Sequence, residues 1–254
     1  MIKALFFDMD GTLVRYDKNG EGKIPDAVCR EVGRLREAGV KVFAATGRSR
    51  IEMDNLDFLR SVEFDAVASL NGQYCYTPKE DLLIESIPVS DLEGYMVFNK
   101  KRDFPAVFVE KNDIYINYYT EEFAAAVAKI GTELPYARDI DDLPGREIIQ
   151  IMPMGDDDMV KELMGYMPNS KATRWSVEFV DIIAKNGGKD VGIKTILEHF
   201  GIDPAEIMAF GDGENDYDML KMAGTGVAMA DGVEMLKEVA DIVTDDISLV
   251  LRDI

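Results

Sequence analysis

The chain is poor in the side chains that carry acyl transfer and thiolate chemistry. Its 254 residues include one histidine, His199, and two cysteines, Cys29 and Cys75. His199 lies at a predicted helix end, so we expect it to be structural, which argues against a Ser-His or Cys-His mechanism. The cysteines are far apart and lack metal-ligand spacing. We interpret them as small buried apolar residues in a reducing compartment, the cytoplasm.

Basic residues and long apolar runs are also scarce. The chain has 28 Lys and Arg residues against 48 Asp and Glu residues, a net charge of −20. Such a surface repels phosphate backbones and anionic lipids, so nucleic acid and membranes are not expected partners. No apolar run approaches the roughly 20 residues that span a bilayer, and the first residues lack the pattern of a signal peptide. The sequence leaves open a monomer or a small homo-oligomer.

What is present is an alternation of buried strands and helices. Apolar runs such as "IKALFFD" and "VKVFAAT" are separated by helical patterns, which predicts a parallel sheet. Between residues 79 and 184 the strands are more exposed and alternating, which is typical of a smaller α+β unit. We therefore predict an α/β core formed by residues 1–78 and 185–254, interrupted by an α+β domain at 79–184.

A pair of acidic residues follows the first predicted strand. Asp8 and Asp10, in "DMDGT", should point to the same side of the chain. Two like charges this close need a cation or a shared proton. Gly11 permits a turn and lets backbone N–H groups approach an anion. Taken alone, this segment is more typical of a strand end with two surface aspartates.

A second acidic cluster follows a later predicted strand. Asp212, Asn215 and Asp216 lie in "GDGEND". On neighbouring strand ends, the two clusters would form a site for a hard divalent cation such as Mg²⁺. The alternative is a helix N-cap formed by Asn215 or Asp216.

Two further features are suited to binding phosphate. Thr46 and Gly47, in "AATGRS", follow the second predicted strand and could hold an anion through neutral hydrogen bonds. Arg48 beside them could assist or could simply be solvated. Lys189, after "NGG", could neutralise a phosphate oxygen, although a lone lysine is usually a surface residue.

In this order, the features resemble the haloacid dehalogenase (HAD) superfamily of phosphatases. "DMDGT", "TGR", Lys189 and "GDGEND" resemble its four motifs, and the tract after "GDGEND", like the insertion, resembles the Cof-type sugar-phosphatase branch. The resemblance implies a Rossmann-like core and an inserted cap that acts as a specificity lid. The sequence departs from the branch at Ala230–Asp231–Gly232, where relatives commonly have an Asn-Ala pair.

The resemblance also implies a role for each residue. Asp8 would be the nucleophile that forms an aspartyl-phosphate, and Asp10 the general acid and base. Mg²⁺ would be held by Asp8, Asp212, Asp216 and the backbone carbonyl of Asp10. The phosphoryl group would be bound by Thr46, Gly47, Lys189 and Gly11, with Asn215 orienting Lys189 or the nucleophile.

The leading hypothesis is a Mg²⁺-dependent phosphoric monoester hydrolase of a small phosphorylated metabolite, such as a sugar phosphate. A phosphotransferase on the same fold and a phosphometabolite-binding regulatory protein with weak turnover are the alternatives. A haloacid dehalogenase would need neither the acid Asp10 nor a metal cluster. In the insertion, Arg146, Arg174 and Trp175 could meet a substrate, although each is more often a surface or packing residue.

Overall fold

The computed structural model describes residues 1–18, 20–130, 134–174 and 176–254, without the side chain of Ile130. The chain forms two compact units. The core unit comprises Met1–Leu83 and Gly188–Ile254, and the inserted unit comprises Ile84–Gly187. Among the described residues, no helix has the length and apolar character that a membrane crossing requires.

The strands are short, as is usual in sheets of this kind. They are β1 (Ala4–Phe7), β2 (Arg15–Tyr16), β3 (Gly22–Lys23), β4 (Lys41–Ala45), β5 (Ala66–Ser69), β6 (Tyr74–Tyr76), β7 (Asp81–Ile84), β8 (Ala106–Glu110), β9 (Asp113–Ile116), β10 (Tyr136–Ala137), β11 (Gln150–Pro153), β12 (Ser170–Arg174), β13 (Val180–Ala184), β14 (Ile207–Gly211), β15 (Thr225–Met229) and β16 (Ile242–Thr244).

Helices connect most of these strands. They are α1 (Asp26–Glu37), α2 (Arg50–Asn55), α3 (Val89–Asn99), α4 (Glu121–Ile130), α5 (Asp157–Met164), α6 (Lys189–Phe200), α7 (Tyr217–Met222), α8 (Glu234–Lys237) and α9 (Ile247–Arg252). In α1, for example, Val28, Val32 and Leu35 are buried at helical spacing, which fixes the face that packs.

The core unit is built on one large sheet, and β2 and β3 form a separate antiparallel pair. Over the described residues the strand order of the large sheet is β16-β15-β14-β1-β4-β5-β6-β7. Neighbours from β16 to β5 are parallel, and β6 returns antiparallel to β5. All four residues of β1 are buried, which explains why this strand reads as a continuous apolar run. The α/β fold with an inserted α+β domain is therefore confirmed.

The inserted unit has its own sheet, with the order β10-β9-β8-β11-β13-β12 over the described residues. Neighbouring strands from β9 to β12 are antiparallel. Residues of α3 and α5, among them Leu92, Tyr95 and Leu163, share a buried apolar cluster with strand residues of this sheet. This unit therefore has a hydrophobic core of its own.

Two helices differ from the sequence-based expectation. The segment "GRSRIEMDNLDFLRSV", residues 47–62, predicts one helix, but α2 covers only Arg50–Asn55, because Leu56 is extended, and a 3₁₀ turn over Asp57–Ser61 follows. Helix α3 was not predicted from the sequence, because its apolar pattern is blurred: Asp91 is buried, whereas Val89 and Val97 are exposed. A Cβ at Gly94 would collide with the carbonyl oxygen of Tyr166, so the glycine permits close packing.

Candidate active site

The carboxyl ends of the parallel strands bring the sequence-predicted residues together. Asp8, Thr46 and Asp212 are the residues directly after β1, β4 and β14. Strand β1 lies between the other two, and the Asp8 N–H donates to the carbonyl oxygen of Phe210 at 2.9 Å. Carboxyl ends of parallel strands meet at one sheet edge, which is where open α/β sheets bind ligands.

Lys189 provides the positive charge at this edge. Its Nζ lies 2.5 Å from Asp8 Oδ1 and 2.7 Å from Asp216 Oδ1, and the residue is 2% exposed. It is the first residue of α6, which lies against the turn after β5. A Cβ on Gly192 of α6 would lie only 2.7 Å from the Cα of Gly72 in that turn. The two glycines thus permit the close approach that places Lys189.

The loop after β14 is fixed by its own acidic residues. Asp216 Oδ2 accepts hydrogen bonds from the N–H groups of Asp212 and Gly213, each at 3.0 Å. Asp212 in turn accepts a 2.7 Å hydrogen bond from the hydroxyl of Thr12, which belongs to the loop after β1. The two acidic segments that the sequence places 200 residues apart are therefore joined directly.

Three carboxylates and one ammonium group share this buried space. One oxygen from each of Asp8, Asp212 and Asp216 lies within 4.8 Å of the others, and Lys189 balances only one of the three charges. Burial, and then repulsion from Asp216, raises the pKa of Asp8 well above its ordinary value. Burial likewise raises the pKa of Asp212. Burial opposes the charge of Lys189, yet Asp216 and Asp8 hold its pKa above the ordinary value.

The donor set fits Mg²⁺. Carboxylate oxygens are hard ligands, and one or two carboxylates completed by water are the usual protein contribution to a magnesium site. When all three carboxylates are ionised, two negative charges remain after Lys189 is counted, which is the charge that a divalent cation neutralises. Asp8, Asp212 and Asp216 are thus the residues that could hold the ion.

The side chain of Asp10 faces other partners. Arg48 Nε lies 2.7 Å from Asp10 Oδ2, Arg48 Nη2 lies 2.8 Å from Oδ1, and the Tyr16 hydroxyl also donates to Oδ1. Burial opposes the Asp10 charge, but the hydrogen bonds and charge of Arg48 hold its pKa below the ordinary value. Burial and the hydrogen bond to Asp10 raise the pKa of Tyr16 to about 12. Metal contact by the Asp10 backbone carbonyl remains a prediction.

The residues expected to bind phosphate have different hydrogen-bond partners within the chain. The buried hydroxyl of Thr46 accepts the N–H of Arg48 at 3.1 Å, and Gly47 lies between these two residues in the chain. The N–H of Gly11 donates to the carbonyl oxygen of Val14 at 3.1 Å, which engages it within the turn. Gly11 has φ +90°, and a Cβ there would collide with the Asp212 carboxylate. In the structure, Gly11 thus allows the Asp212 carboxylate to lie close to the turn after β1.

Asn215 has a different partner from the one expected. Its Nδ2 donates to Asn71 Oδ1 at 3.0 Å, whereas Lys189 is held by Asp216 and Asp8. The orienting contact to Lys189 therefore comes from the residue next to Asn215. Asn71 has φ +55°, a conformation that asparagine tolerates better than most residues.

Three contacts of the site were not predicted. They are the Thr12 bond to Asp212, the paired contacts of Arg48 and Tyr16 with Asp10, and the 2.7 Å ion pair between Arg15 and Asp231. The last gives Asp231, in the segment Ala230–Asp231–Gly232, a partner in β2. The only available signal was that Thr12 and Arg48 belong to the motifs "DMDGT" and "TGR". Tyr16 carries no such signal.

The insertion residues named from the sequence have local partners. Arg146 Nε lies 2.5 Å from Glu110, and Arg174 Nε lies 2.7 Å from Asp157. Both partners belong to the inserted unit, which supports packing roles. Trp175 lies outside the described residues.

A parallel sheet that gathers acidic side chains and a buried lysine at its strand ends is suited to an α/β enzyme that acts on phosphate esters. The chain matches the sequence pattern of the haloacid dehalogenase-like hydrolases over residues 5–248, and it belongs to that family. It is an enzyme of the phosphatase class that acts on small phosphorylated substrates.

Relatives match over nearly the whole chain. YkrA of Bacillus subtilis (strain 168), named as a candidate phosphatase, is 30% identical over 245 residues, which cover 95% of this chain and 91% of YkrA. The 5-amino-6-(5-phospho-D-ribitylamino)uracil phosphatase YitU of the same organism is 25% identical, with 92% and 88% coverage. The solved structure of the HAD subclass IIB sugar phosphatase BT4131 superimposes with a TM-score of 0.86, at 32% identity, and covers 99% of this chain and 98% of that protein.

Proposed function

We propose that the chain is a Mg²⁺-dependent phosphatase that hydrolyses a sugar phosphate or a similar small ester through a phosphoryl group carried on Asp8. The observation that carries this proposal is the grouping of Asp8, Asp212 and Asp216 around the buried Lys189. A strand-end carboxylate among ligands for a hard cation is suited to attack on phosphorus. The similarity to a sugar phosphatase supports the substrate class.

In the first step an oxygen of Asp8 bonds to phosphorus while the bond from phosphorus to the leaving oxygen breaks. The negative charge of the bound ester raises the pKa of Asp10, which Arg48 lowers in the free protein, so Asp10 carries a proton in the complex and gives it to the leaving oxygen. In the second step a water oxygen bonds to phosphorus, the bond to Asp8 breaks, and the water proton passes to Asp10. Asp10 thus ends as it began, and the products are an alcohol and inorganic phosphate.

The other residues of the site bind charge. The ammonium group of Lys189 neutralises oxygens of the phosphoryl group as their charge develops, and the hydroxyl of Thr46 donates a neutral hydrogen bond. Mg²⁺ held by Asp8, Asp212 and Asp216 supplies the remaining positive charge when bound. Thr12 keeps Asp212 in place through its 2.7 Å hydrogen bond.

We further propose that the inserted unit, Ile84–Gly187, is the cap that distinguishes leaving groups. It has its own sheet and its own hydrophobic core, so its loops can change without disturbing the strands that carry the acidic cluster. A panel of sugar phosphates, nucleotides and vitamin phosphates would identify the preferred ester.

Turnover of p-nitrophenyl phosphate, with Mg²⁺ and after EDTA treatment, tests the proposal. We expect hydrolysis with Mg²⁺, its loss with EDTA, and its loss in Asp8→Asn. Asp218→Asn is a matched control, because Asp218 is an exposed member of the same acidic tract, and it should behave like the unmodified protein. Normal hydrolysis by Asp8→Asn would refute the proposed route. Saturable binding of esters without turnover would favour a regulatory protein.

A further inference from the structure

Asp10 is held by a fork of hydrogen bonds from one arginine. Two nitrogens of Arg48 contact the two oxygens of the Asp10 carboxylate, at 2.7 and 2.8 Å. The Tyr16 hydroxyl donates to Asp10 Oδ1 and accepts from Arg48 Nη2 at 3.0 Å. Such paired contacts fix the plane of a carboxylate, which a single contact to a lysine cannot do. The rotation of the Asp10 side chain is therefore set by Arg48 and Tyr16.

Arg48 is itself anchored at its backbone. Its N–H donates to the Thr46 hydroxyl at 3.1 Å, and its carbonyl oxygen accepts the N–H of Leu70 at 3.0 Å. Its side chain is 21% exposed. Exposed ion pairs usually contribute little because long side chains must be ordered to form them. Here the backbone hydrogen bonds hold the main chain of Arg48, and the two contacts with Asp10 order its side chain. The guanidinium group therefore keeps one position beside Asp10.

The chemistry assigned to Asp10 depends on its direction. A general acid must lie within hydrogen-bond reach of the leaving oxygen, and small displacements of reacting groups cost large factors in rate. Asp10 is two residues beyond Asp8 and past the end of β1, so the strand itself does not hold its side chain.

From these contacts we infer that Arg48, assisted by Tyr16, is the positioning residue that aims the Asp10 carboxylate at the leaving oxygen. This role rests on the proposed function, because it assumes that Asp10 protonates the leaving group. Arg48 then matters most for esters whose leaving group needs a proton. It matters little for esters whose leaving group departs as a stable anion.

The test compares kcat/KM for two substrates, since this ratio reports the steps up to the first phosphoryl transfer. p-Nitrophenyl phosphate loses a stable anion and needs no acid, whereas an alkyl phosphate such as glycerol phosphate needs one. In Arg48→Lys, which keeps the charge but loses the fork, we expect kcat/KM for the alkyl ester to fall by about 10²-fold. The value for p-nitrophenyl phosphate should stay close to that of the unmodified protein. Tyr16→Phe should show the same selectivity with a smaller loss.

Two further variants complete the design. Arg50→Lys is the matched control, because Arg50 lies two residues further on and contacts Tyr74 and Tyr76; it should show no selectivity. Asp10→Asn should lower kcat/KM for the alkyl ester at least as much as Arg48→Lys does, and adding Arg48→Lys to it should cause little further loss for that ester.

The outcomes separate this role from the others. An equal loss on both substrates would overturn it, since a phosphate-binding or purely structural arginine acts on both. Unchanged values on both would overturn it too. If the unmodified protein shows no turnover that depends on Asp8, the proposed function fails and the positioning role fails with it. Selective loss supports both.

Discussion

Asp8 and Asp216 in the core unit and Asp91 in the inserted unit are all buried, with exposures of 7%, 0% and 0%. Their surroundings differ. Asp91 is a single carboxylate that accepts from neutral donors: the backbone and side chain of Asn169, at 2.9 and 3.0 Å, and the Ser170 hydroxyl, at 2.7 Å. Asp8 and Asp216 are crowded with Asp212 around one ammonium group.

The contrast shows which feature of a buried carboxylate indicates function. Burial is costly for any charge, and a structural carboxylate offsets that cost with donors that have no other task. Asp91 does this by tying the first turn of α3 to the start of β12. The core cluster leaves negative charge uncompensated, which is unfavourable unless a cation or a substrate group supplies the balance.

Among the substitutions that test this contrast, Lys189→Met should have the largest effect on stability and activity. We expect Lys189→Met to lower the free energy of unfolding by about 3–5 kcal/mol, because it leaves Asp8 and Asp216 buried without their cation. Activity should fall by about 10²–10³-fold, since a group that stabilises developing charge is lost. Urea unfolding in metal-free buffer and kcat for p-nitrophenyl phosphate measure the two effects.

Lys194→Met is the control for that variant. Lys194 lies on the same helix, and its side chain is 56% exposed beside Asp190, so both readouts should change little. If Lys189→Met unfolds in metal-free buffer with the same free energy as the unmodified chain, the three carboxylates do not need the charge of Lys189, and the contrast with Asp91 fails.

The inserted unit should respond to Asp91→Ala by local loss of structure. The donors from Asn169 and Ser170 then lose their acceptor, and we expect a destabilisation of about 3 kcal/mol. Hydrogen exchange should accelerate in α3 and β12 while β1 and β14 keep their protection. Asp91→Asn keeps one acceptor oxygen and should cause a smaller change. Equal loss of protection in β1 would contradict the independence of the two hydrophobic cores.

Asp65→Asn should have the smallest effect on the free energy of unfolding, and that effect should depend on pH. Burial opposes the charge of Asp65, but the N–H of Val42 and the cations Lys41 and Arg36 hold its pKa below the ordinary value. The ionised Asp65 therefore stabilises the folded chain fully at pH values above the ordinary pKa of an aspartate. This stabilisation is lost as the pH falls through the lowered pKa of Asp65 in the folded chain. Asp65→Asn should cost about 1 kcal/mol at neutral pH.

Unfolding experiments from neutral pH into the acid range would measure this effect. The difference between Asp65→Asn and the unmodified chain should shrink as the pH falls. A difference that grows toward acid would show that Asp65 is not stabilised in its charged form.

The sequence predicts the strand-end residues well because their placement depends on local rules. A buried apolar run, then polar residues and glycine, locates Asp8, Thr46 and Asp212 at one edge once the sheet is parallel. The fold class followed from the same alternation. The unit boundaries in the structure lie at residues 83/84 and 187/188, a few residues beyond the expected 78/79 and 184/185.

Contacts made across loops were not predictable from the sequence. Nothing in the spacing indicates that Arg48 reaches Asp10, or that Asn215 donates to Asn71 while Asp216 holds Lys189. These pairs are 38, 144 and 27 residues apart in the chain. Their geometry depends on how the segments after β1, β4, β5 and β14 pack, which periodicity does not encode.

Chemical trapping of the phosphoryl group tests the central claim, that Asp8 carries it, most directly. The Asp10→Asn variant is mixed with substrate and Mg²⁺ and quenched with borohydride, which reduces an aspartyl-phosphate to homoserine. Peptide mass spectrometry then locates the altered residue. The account predicts homoserine at position 8, and none when Asp8→Asn is combined with Asp10→Asn. Reduction at another aspartate, or substrate turnover with no reducible intermediate, would contradict it.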